Sequence, residues 1–207
     1  DVFSTYLFYD SNYSSSPVTI NNGIDLAGEG GMVWVKSRTS AQSNSVTDTE
    51  GETRLYTDTP AAEYTGDYDK VDQFNSNGFR YANGFSAAQD YVSWTFRKAE
   101  RFFDVVTWSG DTTVRNISHS LGVVPGMIFV KCTSAAEYWR VYHRSLSLNY
   151  EMLLNETASQ AANGNFPTLA TDSVFTVAAG NSTNGTGKTY VAYLFAHDPL
   201  GPSGDGS

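Results

Sequence analysis

Residues 30–38 read GGMVWVKSR, and residues 125–133 read PGMIFVKCT. In both, Gly-Met leads through apolar residues to Val-Lys, with Met32 in register with Met127 and Lys36 with Lys131. Short β-branched and aromatic runs bounded by Gly or Pro are strand signals. The neighbouring segments repeat as well. TYLFYD (5–10), VTINNGIDL (18–26), GMVWVKSR (31–38), TRLYTDT (53–59), GFRYANG (78–84) and DYVSWTFRKA (90–99) fill the first half. FDVVTW (103–108), RNISHSLG (115–122), GMIFVKCT (126–133), EMLLNET (151–157), SVFTVAAG (173–180) and TYVAYLFAHD (189–198) follow in the same order. The offset is 95 at Met32/Met127, 98 at Leu55/Leu153 and 99 at Tyr91/Tyr190. Loops that change length between strands of fixed order produce such a drift. The chain is an internal duplication.

These strands predict an all-β fold: an antiparallel two-sheet, jelly-roll-like sandwich of about twelve strands. RKAERFFDVVTW (97–108) crosses the midpoint without a Pro, Gly or Ser linker. The expectation is therefore one domain over 1–199 with a shared core, built from half-sandwich repeats 1–100 and 101–199. Residues 200–207 form a Gly-rich linker or tail. In YVSWTF, alternation places Val92, Trp94 and Phe96 on the buried face and Tyr91, Ser93 and Thr95 on the other. Helix is expected only as a turn or two in PAAEY (60–64) and ETASQAAN (156–163). Lys36 and Lys131 are expected at strand ends, and Cys132 as a buried thiol.

The composition agrees. Of 207 residues, 14% are aromatic and only 17% charged, with Ser, Thr, Asn and Gly in place of surface Lys and Glu. That suits short strands and many turns. A net charge of −9 repels phosphate backbones, so nucleic acid is not an expected partner. No apolar run is long enough for a membrane helix, and no membrane insertion is expected. The start at Asp1 and the ending GPSGDGS lead us to expect a domain cut from a longer polypeptide.

Candidate chemistry is sparse. DTEGE places Asp48, Glu50 and Glu52 at alternate positions, as paired glycosidase carboxylates on a strand would be. Thr49 and Gly51 give no apolar anchor, and a solvated loop is the simpler reading. Asp67, Asp69 and Asp72 in TGDYDKVDQF could offer oxygen ligands to calcium, but the EF-hand's Gly and closing Glu are absent. No other cofactor is expected. YWRVYHRS (138–145) alternates Trp139, Val141 and His143 against Tyr138, Arg140, Tyr142 and Arg144, making Tyr138, Arg140 and Tyr142 candidate ligand residues. Tyr13, Tyr64 and Tyr68 lie in polar segments, where exposed rings can stack on sugars. Chemistry is expected where the halves differ, in the stretches 39–53, 60–75, 134–150 and 158–172.

NGIDLAGEGGMVWVKSR, YVSWTFRKAERFFDVVTW, SHSLGVVPGMIFVKCT, WRVYHRSL and TYVAYLFAHD resemble a domain common in large structural proteins of tailed bacteriophages, especially marine and cyanobacterial phages. The resemblance runs from about Thr5 to Asp198. It implies a virion location, in a tail fibre or another appendage, with other virion subunits as partners and a homotrimer in the full-length protein. At the level of fold, the chain is also similar to the concanavalin-like jelly rolls of lectins and laminin G modules. Together these imply a structural module that binds a host-surface polysaccharide or lipopolysaccharide without catalysis. A purely structural role is the alternative, and a polysaccharide depolymerase using Glu50 and Glu52 is a third reading. The resemblance carries over no catalytic residues.

Overall fold

A computed structural model of the chain describes residues 1–10, 17–51, 54–66, 70–82 and 88–197. Their backbone falls into two compact units. The first comprises Asp1–Asp58 and Glu63–Lys98, and the second Thr59–Ala62 and the chain from Ala99 onward.

The first unit contains β1 (Phe3–Asp10), β2 (Val18–Asn21), a single helical turn α1 (Leu26–Glu29), β3 (Gly31–Ser37) and β4 (Ser45–Asp48). It continues with β5 (Arg54–Tyr56), β6 (Lys70–Asn75), β7 (Gly78–Ala82) and β8 (Gln89–Arg97). The second contains β9 (Phe103–Ser109), β10 (Arg115–Ser118), β11 (Pro125–Cys132), β12 (Arg140–His143), β13 (Tyr150–Leu153), β14 (Ala161–Ala162), β15 (Val174–Val177) and β16 (Thr189–Ala196). All pairings of these strands are antiparallel. The first unit has sheets β1-β8-β3-β4-β5 and β2-β7-β6; the second has β9-β16-β11-β12-β13-β14 and β10-β15.

The duplication is therefore visible in topology and register. Met32 lies opposite Phe96 and Met127 opposite Phe195; Lys36 lies opposite Val92 and Lys131 opposite Val191. Ring contacts repeat too. Phe8 stacks on Tyr91 with centroids 5.1 Å apart, and Trp108 on Tyr190 at 5.4 Å. Phe79 meets Phe8 edge-on at 6.5 Å, as Phe175 meets Trp108 at 5.9 Å. Such pairs add about 0.5–1.5 kcal/mol each beyond their burial. The two edge-on pairs tie each unit's large sheet to its small one.

The all-β sandwich is as the sequence predicts, with sixteen strands among the described residues rather than about twelve. The additional ones are β4, β6, β12 and β14. β4, reading SVTD, is mostly polar yet wholly buried, and its β-branched Val46 and Thr47 pair with β3 and β5. PAAEY and ETASQAAN contain no helix. The one described helical turn is α1, whose N-cap Asp25 accepts a hydrogen bond from the Gly28 N–H at 2.8 Å.

Each unit has a buried cluster. Phe8, Ile20, Ile24, Leu26, Val33, Val35, Val71, Phe79, Tyr81 and Tyr91 form the first. Trp108, Ile117, Leu121, Ile128, Val130, Cys132, Tyr142, Phe166, Phe175, Val177, Tyr190 and Leu194 make up most of the second. The core face of β8 also differs from expectation: Tyr91 belongs to the cluster, with Ser93 and Thr95 fully buried. Asn22 Nδ2 donates to Thr95 Oγ1 at 2.8 Å, satisfying that hydroxyl. Val92 is buried as well. Trp94 and Phe96 on the other face are only half-buried, so apolar alternation alone picks the wrong side of this central strand.

Gly31 explains the Gly-Gly of the opening motif. Its φ is +151°, and a Cβ there would lie 2.1 Å from the Phe96 carbonyl oxygen. Only glycine lets β3 begin so close to β8.

Candidate functional site

β6 is an edge strand of the small sheet, and its register on β7 shifts between Val71 and Gln73. The irregularity leaves Asp72 as the extra residue, a bulge of the kind that re-aims side chains. Arg80 on β7 holds the displaced carboxylate with two parallel bonds, Nε to Oδ1 at 2.8 Å and Nη2 to Oδ2 at 3.0 Å. The pairing raises the already high pKa of Arg80, through the hydrogen bond first and charge attraction second.

Between this strand and α1 runs a groove of about 530 Å³, lined by Leu26, Ala27, Thr49, Lys70, Val71, Asp72, Gln73 and Phe74. Leu26 and Val71 are buried and make its floor apolar, whereas Gln73 is exposed and Lys70, Asp72 and Phe74 are half-buried. Thr49 Oγ1 accepts from the Gly31 N–H at 2.9 Å, which fixes that wall to the start of β3. The lining can meet hydroxyl-rich ligands with an ammonium, a carboxylate, an amide and a hydroxyl beside a partly exposed ring. Asp72 is its one carboxylate, and Arg80 already engages it.

The sequence candidates separate in the structure. Tyr13, Tyr68, Asp67, Asp69 and Glu52 lie outside the described residues. Glu50 is ion-paired to Lys98 at 2.8 Å. Asp48, buried at the end of β4, accepts the N–H groups of Glu50 and Gly51 at 2.9 Å each and so shapes a turn. Among the described residues no three His, Cys, Asp or Glu side chains group as metal ligands would.

Tyr64 is exposed, and the Arg54 guanidinium sits 4.3 Å from its ring centroid and 4.8 Å from that of Tyr56. A Tyr64 ring held this way is a rigid platform. Tyr138 is exposed, with Arg140 5.9 Å from its centroid. Arg140 turns instead to buried Glu151 and to Ser182. Tyr142 packs edge-on against Phe166 at 5.7 Å inside the second cluster, so its ring is core, not ligand surface.

Lys131 stands next to last in β11, at the strand end as expected, but not at the surface. It is fully buried, and its Nζ donates to the carbonyls of Cys132 (2.7 Å), Pro60 (3.2 Å) and Ala135 (3.4 Å). Burial lowers its amine to about 8. These bonds anchor the Thr59–Ala62 segment within the second unit. Its counterpart Lys36 is exposed and donates to Asn44 Oδ1 at 2.9 Å. A second tight knot is Asp111, held at about 2 chiefly by the Thr113 hydroxyl and N–H, with Asn184 and Arg115 adding to it.

Sequence reasoning marked the stretches 39–53 and 60–75, and they supply Thr49 and Lys70–Phe74 to the groove. It missed Leu26 and Ala27, for which the only signal was Asp25 as an N-cap. The fold and groove define an all-β sandwich protein with a mixed polar and apolar surface cleft. The chain belongs to the family described as Domain of unknown function DUF7483, whose match covers residues 1–204. No curated protein and no solved structure matches it.

Proposed function

We propose that the protein is a structural module of a bacteriophage virion, in a tail fibre or adhesin, that binds a host-surface glycan without a covalent step. The observation that supports this most is the groove beside β6. It combines an apolar floor and the Phe74 ring with an ammonium, an amide and a hydroxyl, the mixture that sugar recognition uses. Tyr64, exposed and braced by Arg54, is a further stacking surface. The resemblance to phage structural domains supplies the virion context and host polysaccharide or lipopolysaccharide as the ligand class. Repeated copies on a particle would multiply a weak single-site affinity.

A purely structural reading is favoured by one observation, the apolar residues Phe3, Leu7 and Tyr9 exposed along β1. The two readings separate when the protein is incubated with host envelope polysaccharide and both retention and chain length are measured. Glycan binding predicts saturable retention, unchanged chain length, and loss of retention in Gln73→Ala and Phe74→Ala. Absence of retention leaves the structural reading. Shortened chains would overturn both in favour of a depolymerase.

A further inference from the structure

Among the described residues the outer edge of β1 is open, whereas the equivalent edge of the second unit is covered at its start. The Arg97 N–H donates to the Val2 carbonyl at 2.9 Å, which sets the alternation along the β1–β8 ladder. Ser4, Tyr6, Phe8 and Asp10 turn their N–H and C=O groups toward β8, and Phe3, Thr5, Leu7 and Tyr9 turn theirs outward. Among the described residues no backbone group pairs with that outward row. The side chains of the same residues are exposed, Leu7 and Tyr9 at 59% each.

β9 is the counterpart of β1, and its own chain blocks its edge. Phe103 exchanges backbone bonds with Ala99 at 2.9 and 3.1 Å. Asp104, which occupies the position of Ser4, accepts the Val105 N–H at 2.9 Å and the Ser120 N–H at 2.7 Å. An inward carboxylate and a covering turn are the usual defences of a sheet edge. Among the described residues β1 has no covering turn, and its one carboxylate, buried Asp10, stands at the far end of the strand. An edge strand that is uncharged and mostly apolar from Phe3 to Tyr9 is a template for strand addition.

We propose that β1 pairs antiparallel with β1 of a second copy, joining two five-stranded sheets about a two-fold axis. The strand is its own complement. Setting Thr5 opposite the partner's Leu7 places Phe3 opposite the partner's Tyr9, and every such pair can exchange both of its N–H···O bonds. Phe3 to Tyr9 carries no charge, so two chains of net charge −9 meet along a neutral stretch. The antiparallel register places Asp10 opposite the partner's Val2, away from the partner's Asp10. A parallel pairing would bring the two carboxylates together. The contact is isologous and closed, and it is additional to any three-fold association of a fibre. It is independent of the glycan reading and stands even if the groove binds nothing.

The test is sedimentation of the whole protein over a concentration series, with amide hydrogen exchange followed at both ends of the series. The expected result is a monomer–dimer equilibrium, with the Phe3, Thr5, Leu7 and Tyr9 amides gaining protection as dimer forms. Thr5→Pro removes one outward N–H and spares the ladder to β8, and Leu7→Lys adds a charge at the seam. Each weakens dimerisation by about tenfold or more, the worth of one or two lost backbone bonds, with thermal unfolding verifying that the fold survives. A monomer at every concentration, a trimer as the associating species, or a dimer indifferent to Leu7→Lys would overturn the proposal.

Discussion

Arg140 on β12 donates to Glu151 on β13, a carboxylate only 1% exposed that also accepts from Asn163 and Asn165 at 3.0 Å each. Glu151 collects three donors on one oxygen, and Arg140 reaches on to Ser182, which in turn donates to Glu137. Lys188 pairs with Glu137 at 2.8 Å and, despite the opposing effect of burial, holds that carboxyl below its ordinary range. These residues hold the outer strands of the second unit together.

Removing one partner of a buried pair strands the other charge at a cost of about 3–5 kcal/mol. Glu151→Ala and Arg140→Met are each expected to lose that much in urea titrations. Arg140→Met with Glu151→Met should lose less than either single change, because no charge is left buried alone. Additive losses would show that the pair is not coupled.

Lys131 gives a pH signature. Its amine is lowered to about 8 from 10.5, first by burial. Between those values the unfolded chain binds more protons than the folded one, so this site's contribution to stability rises with pH across the window. Below it the buried charge costs on the order of 3 kcal/mol. Replacing Lys131 with Met should therefore leave a stability difference that shifts toward the wild type as pH climbs from 8 to 10. Readings above 10 mix in Tyr190, which burial pushes up to about 12 and which lowers stability as it ionises in the unfolded chain. A difference that stays flat from pH 8 to 10 would refute the assignment.

The sequence carried the duplication because strands keep their order and their apolar spacing while loops drift. Met32/Met127 and Tyr91/Tyr190 were alignable by eye, and the registers of β3 on β8 and β11 on β16 match them. The core face of β8 was not legible, since Val92, Trp94 and Phe96 are as apolar as a core requires while the buried face carries Ser93 and Thr95. Nor was Lys131, whose place depends on three carbonyls from Pro60, Cys132 and Ala135 that only the fold assembles. The groove was half legible. Its polar wall lies in stretches where the halves diverge, but its apolar floor uses Leu26, which looks like any strand-end leucine until α1 turns it inward.

Each unit's own buried cluster predicts local damage. Phe79 belongs to the first cluster and Phe175 to the second, each fully or almost fully buried. Truncation of either to Ala is expected to cost about 3–5 kcal/mol. Hydrogen exchange should then show the loss of protection concentrated in β2, β7 and β8 for Phe79→Ala, and in β10, β15 and β16 for Phe175→Ala. Uniform loss across both units in either variant would indicate a single cooperative core instead.

The Gly-Gly of GGMVWVKSR can be tested against a glycine that shares its backbone sign but not its crowding. Gly31 combines φ +151° with a Cβ position 2.1 Å from the Phe96 oxygen, whereas Gly187, at φ +75°, has nothing within 4 Å of its Cβ position. Gly187→Ala should cost only the left-handed backbone penalty, about 1–2 kcal/mol. Gly31→Ala must in addition push β3 away from β8, adding strain of about 1–3 kcal/mol and loosening the pairing that carries Met32 against Phe96. The check is the difference in urea midpoint between the two variants, with amide exchange at Met32 and Arg97 as the local readout. Equal costs would mean that conformation alone, and not close approach, put glycine at the head of the strand that the chain writes twice.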